Sequence, residues 1–90
     1  MSGPIAVEVF SSPGCAKCLH AKTMLRALAA ELGAARVIWR EVDTLADPER
    51  AIALGVLSAP AIAIDGALVF PSLPQPNRLR RELLRRLEAR

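Results

Sequence analysis

The sequence predicts an α/β fold in the order β-α-β-α-β-β-α, with a four-stranded mixed sheet and helices on both faces. Three observations carry this. An apolar run at Ile5 to Phe10 is followed by a long stretch with helical spacing. A second extended run, Arg36 to Val42, comes after that helix. Two short apolar runs then flank Asp65-Gly66. The first two make a right-handed βαβ unit with parallel strands, and the last makes a hairpin.

Taken in order, Ile5-Ala6-Val7-Glu8-Val9-Phe10 is β-branched at alternate positions, as a strand requires. Ser11-Ser12-Pro13-Gly14 supplies a turn, and Cys15 to about Leu32 reads as a helix. Ala21, Leu25, Leu28 and Leu32 fall on one face of it, Lys22 and Arg26 face outward, and Gly33 ends it. The second strand carries Trp39, expected to pack in the core or on the sheet face. Asp47 is placed to cap a short helix with Pro48 at its first position, running to about Leu54 before Gly55. Pro60 to Ile64 and Ala67 to Phe70 are the hairpin strands. Residues 71–77, rich in proline, form a stiff connection to a closing basic helix. Its apolar stripe is Leu79, Leu83, Leu84 and Leu87.

Ninety residues predict one domain spanning 1–90, with no repeat and no interdomain linker. Hydrophobic content of 52% against 23% charge favours a packed core over disorder. At 3% aromatics, that core must be filled by Ala, Leu, Val and Ile. Met1-Ser2-Gly3-Pro4 carries no basic residue and Glu8 interrupts the following apolar run, so no export signal is read. The longest charge-free run, Ala51 to Ile64, holds Gly55 and Pro60 and is too short for a bilayer. A cytoplasmic protein with no membrane partner is expected. The net charge is +3, and six of the twelve basic residues are arginines between Arg78 and Arg90. No aromatic lies among them to stack a base, and Glu82 is spaced to pair with Arg78, Arg85 or Arg86. They are expected on solvated helix faces, with no nucleic-acid partner.

The chemistry concentrates in Cys15-Ala16-Lys17-Cys18. Two cysteines three apart close too small a loop to staple a fold, which leaves redox or metal chemistry. A helix start presents unpaired N–H groups and a partial positive charge. A thiolate there is stabilised over its thiol, below the ~8.5 of a free cysteine. Cys18 returns to the same face one turn later, at a separation compatible with a disulfide. Cys15 is thus the candidate attacking thiol, with Lys17 as a nearby positive charge, and the more buried Cys18 is the candidate resolving thiol. His20, two residues past Cys18, points away on a helix and is expected at the surface.

Together, the C-x-x-C after the first strand, Ser58-Ala59-Pro60 before the third and Ile64-Asp65-Gly66 in the hairpin resemble the thioredoxin fold in its short, glutaredoxin-like form. The resemblance spans essentially the whole chain and implies a thiol–disulfide oxidoreductase with a redox-active Cys15–Cys18 disulfide. It implies a cis Ala59–Pro60 bond beside the cysteines, with Ala59 offering its backbone to an extended substrate. Substrate contacts are expected at Pro13, Gly14, Ala16, Lys17, Ala59 and Pro60. Substrates would be protein or small-thiol disulfides, and an external donor, glutathione or a thioredoxin-reductase type, would restore the dithiol. No cofactor, no metal and no second subunit is expected. The chain departs from thioredoxins in having Gly14 before the first cysteine, Ala16-Lys17 between the pair, and Val9 where they carry a buried aspartate. Glu8, its neighbour, should point to the other face of the strand. It departs from glutaredoxins in lacking tyrosine and in placing Phe70-Pro71-Ser72-Leu73 where they have a Gly-Gly pair. Two other readings of the pair stand beside this one: a carrier of a soft ion such as Zn²⁺ or Cu(I), or a binding module without turnover.

Overall fold

The computed structural model describes residues 3–90, so Met1 and Ser2 of the N-terminal segment lie outside the described residues. Seven elements follow in order: β1 (Ile5–Ser11), α1 (Ala16–Leu32), β2 (Val37–Asp43), α2 (Pro48–Leu54), β3 (Ala61–Ile64), β4 (Ala67–Phe70) and α3 (Pro76–Glu88). The sheet order is β2-β1-β3-β4. β1 runs parallel to β2 and antiparallel to β3, and β3 pairs antiparallel with β4.

Local chemistry explains most boundaries. Asp47 accepts a hydrogen bond from the Arg50 N–H and Pro48 opens α2, while Gly55 ends it in the left-handed conformation at φ 78°. Asp65 and Gly66 take φ 51° and 81°, the two positive values that a tight hairpin turn needs. α3 begins at Pro76, inside the expected connection, because proline suits the first helical position, where no N–H partner is required.

Strand alternation divides the interior between the two faces of the sheet. Ile5, Val7 and Val9 of β1 and Ile62 and Ile64 of β3 meet the α1 stripe and Leu79, Leu83 and Leu87 of α3 in the larger core. Half-buried Trp39 packs at its edge, with the Arg26 guanidinium 6.0 Å from the ring centroid. The opposite face holds Phe10, Val42, Ala61 and Ala63 beneath Ala51 of α2. Glu8 does point to that second face, and it is buried there at 6% exposure. Arg40 reaches its carboxylate at 2.6 Å, and Arg50 donates to both oxygens at 3.0 and 2.8 Å. Arg50, and to a lesser degree Arg40, hold the Glu8 carboxyl below its ordinary value, against burial that pushes it up.

The arginines of α3, and Arg90 just past it, are more engaged than solvated faces imply. Arg85 and Arg86 pair with Glu82, as the spacing predicts, at the favourable separations of three and four residues. Arg80 instead reaches Glu31 on α1 at 2.5 Å, Arg86 and Arg90 reach Asp65 in the hairpin turn, and Arg78 lies over Phe70. Folding α3 back onto the face it shares with α1 creates these long-range partners. Among the described residues, no helix is long and apolar enough to cross a membrane.

Candidate functional site

β1 ends at Ser11, and Gly14 at φ 72° turns the chain so that α1 starts against the C-terminal end of the sheet. Cys15 is the N-cap of α1, in extended backbone geometry, and its Sγ accepts the Cys18 N–H at 3.1 Å. This sulfur occupies the place where capping residues present an oxygen to the orphan N–H groups. The two sulfurs are joined as a disulfide, with the Cα atoms 5.2 Å apart. Cys15 is half-buried, whereas Cys18 is only 2% exposed. Their difference in access follows from position: Cys15 stands at the helix rim, and Cys18 lies one turn down on the face that bears Ala21 and Leu25.

A cleft of about 460 Å³ opens beside the pair, lined by Pro13, Gly14, Cys15, Ala16 and Cys18 among the residues expected at the site. Lys17 is exposed and does not line it, because two residues on from Cys15 the helix faces another way. Ala59 lines a second hollow of about 190 Å³ with Thr44 and Leu57, and Ser12 borders both spaces. The Ala59–Pro60 bond is cis, as the resemblance implies, and Pro60 is buried.

Six cleft residues are not among the expected site residues: Ser11, Ser12, Leu19, Lys22, Glu41 and Asp43. The Ser11 hydroxyl donates to Glu41 Oε2 at 2.5 Å and Lys22 Nζ reaches the same oxygen at 2.9 Å. The Ser11 hydrogen bond, then that of Lys22, holds the Glu41 carboxyl below its ordinary value. The available signal was the parallel βαβ unit. It pairs Val9 with Glu41 and Ser11 with Asp43, so alternate residues at the ends of both strands share the face that carries α1. His20 is exposed and does not line the cleft. Among the described residues, no group of three His, Cys, Asp or Glu side chains gathers to hold a metal ion.

The thioredoxin-domain family model matches residues 5–83. A probable thioredoxin of Methanothermobacter thermautotrophicus is 33% identical over 75 residues, covering 83% of this chain and 87% of its own. A thioredoxin of Methanocaldococcus jannaschii is 28% identical and covers 92% of this chain and 96% of its own. Among solved structures, a protein disulfide oxidoreductase from Aeropyrum pernix superposes with a TM-score of 0.79 at 29% identity, covering 99% of this chain and 40% of that one. Thioredoxin 1 from Thermosipho africanus gives 0.77 at 16% identity, covering 93% and 96%, a likeness of fold alone.

Proposed function

The chain belongs to the thioredoxin family and is a thiol–disulfide oxidoreductase, and from that premise we propose that Cys15 attacks the substrate disulfide and Cys18 resolves the intermediate. In the reduced protein, the Cys15 thiolate attacks one sulfur of the substrate. A Cys15–substrate bond forms, the substrate S–S bond breaks, and one substrate thiolate leaves. Cys18 then gives up its proton and attacks Cys15 Sγ, which releases the second substrate thiol and closes the Cys15–Cys18 disulfide. Two electrons pass from the dithiol to the substrate, and an external thiol donor returns them.

The observation that carries this division of roles is the unequal setting of the two sulfurs. Cys15 caps α1 and accepts the Cys18 N–H, an arrangement that favours thiolate, while Cys18 is buried and meets only a sulfur already brought to Cys15. Pro13, Gly14 and Ala16 serve as the substrate-facing rim. Ala59 serves as the backbone edge for an extended substrate, supported by its place in the adjoining hollow. Pro60, buried after the cis bond, holds Ala59 in place for that contact. Lys17 acts on the thiolate from outside the cleft.

The reading takes the working unit as a monomer, since both sulfurs and the cleft belong to one chain, and the cytoplasm as the compartment where such pairs cycle. The ion pairs made by Arg80, Arg86 and Arg90 support a structural use of that charge over nucleic-acid binding.

The test is the reduction potential of the pair, equilibrated against glutathione and dithiothreitol buffers. A value near about −270 mV fits a thioredoxin-reductase-type donor, and one near about −200 mV fits glutathione. A pair that forms no intramolecular disulfide in any buffer would overturn the proposal.

A further inference from the structure

We infer that the redox cleft selects polypeptide disulfides that carry a basic side chain beside the reacting cysteine, with Glu41 and Asp43 as the residues that set this preference. The inference rests on the oxidoreductase reading above and names the substrate class of the same site. The chain as a whole carries +3, yet the cleft beside the disulfide presents two carboxylates, Glu41 and Asp43, against one ammonium, Lys22. Lys22 is already spent on Glu41 at 2.9 Å. Asp43 is exposed, its Oδ1 is fixed by the Leu45 N–H at 2.8 Å, and among the described residues it has no cationic partner. Ser11 steadies Glu41 from the strand side, so both carboxylates point to defined places rather than sweeping freely in solvent. The remaining cation near the pair, Lys17, is exposed and outside the cleft. The partial charge of the α1 N-terminus is taken up at the Cys15 sulfur.

The shape of the surface points to a polypeptide. Ser12 lines both the cleft and the neighbouring hollow of Thr44, Leu57 and Ala59, so concave surface adjoins the cleft on the side away from the two sulfurs and ends at Leu57. Leu57 stands 98% exposed at that far end, an apolar side chain that an extended chain lying along Ala59 would cover. A small thiol bearing two carboxylates, such as glutathione, would meet carboxylates at the cleft and leave the far end bare. A peptide with lysine or arginine next to its cysteine would place a cation against Glu41 and Asp43 and its backbone along Ala59. Charges at a rim of this kind act on the encounter rate and make it salt-dependent.

The experiment uses the full chain, pre-reduced and freed of other reductant, in single turnover against three synthetic peptide disulfides. These differ only in carrying Lys, Gln or Glu beside the cysteine. Each turnover converts one peptide disulfide to two peptide thiols and the protein dithiol to its disulfide. The Lys peptide should react about fivefold faster than the Glu peptide at low salt, with Gln between them, and the ratio should collapse towards one near molar salt. The Glu41→Gln, Asp43→Asn double variant should lose the preference at low salt. Equal low-salt rates for all three, or a faster Glu peptide, overturn the inference while leaving the redox reading in place. Failure to reduce even the Gln peptide overturns the redox reading itself. The salt series on the unaltered chain keeps the test decisive should the double variant fold poorly.

Discussion

The two faces of the sheet are held by different physics. On the α1–α3 face, Val7, Val9, Ile62 and Ile64 meet Leu25, Leu28, Leu79 and Leu83, all buried and all apolar. On the α2 face, Phe10, Val42 and Ala63 make a smaller core, and Glu8 is buried beside them with a bidentate Arg50 and a third bond from Arg40. Removing a carboxylate from water is unfavourable, and here charge-assisted hydrogen bonds offset it. α2, a single short helix, buries only Ala51 fully, so its attachment to the sheet depends on Arg50 more than any contact on the other face depends on a charge. The redox pair draws on the first face. Cys18 lies on the helix that buries Ala21 and Leu25, which keeps the α1 N-terminus fixed under Cys15. The proposed substrate edge at Leu57 and Ala59 follows α2 and borders the second.

Truncation on the apolar face should have the largest effect. Leu25→Ala leaves a cavity beneath α1 and should destabilise the fold by about 2–5 kcal/mol in denaturant unfolding. A loss well under this range would mean the larger core is looser than its burial indicates. On the other face, Glu8→Gln keeps the shape but removes the charge from between two guanidiniums. It should cost about 1–3 kcal/mol at neutral pH, and the loss should be smaller in acid. The sign follows from the depressed carboxyl. Glu8 titrates below its ordinary 4.5 in the folded chain, so its contribution is complete above that value and fades as pH falls through the lower folded one. Glu41 and Glu82 shift in the same direction, so the acid limb of stability below about pH 4.5 is shared, and Glu8→Gln should make it shallower without abolishing it. An unchanged acid limb would show that the ion pair contributes nothing and that the faces differ only in area.

The same division separates what was legible in the sequence from what was not. The strand alternation of Ile5, Val7 and Val9, the stripe from Ala21 to Leu32, the Asp47-Pro48 helix start and the Asp65-Gly66 turn are local signals, each decided within a few residues. They suffice for the element order, and the strand–turn–helix context placed Cys15 at a helix cap. The Glu8–Arg50 pair joins residues 42 apart, and the Ser11–Glu41–Lys22 cluster joins three elements. Such partners are fixed only once the parallel register of β1 and β2 is known, and charge patterning within a helix carries no trace of them. Arg86 and Arg90 illustrate the point: periodicity puts them on a polar face, and tertiary packing then brings that face to Asp65.

The central claim is that unequal placement gives the two cysteines unequal roles, and trapping the covalent intermediate tests it most directly. The Cys15→Ser and Cys18→Ser variants would each be incubated with a peptide disulfide and analysed by intact mass after acid quenching. The account predicts that the Cys18→Ser chain accumulates a mixed disulfide through Cys15, while the Cys15→Ser chain, left with a thiol that is 2% exposed in the parent fold, accumulates little. Faster trapping through Cys18 than through Cys15 would contradict it.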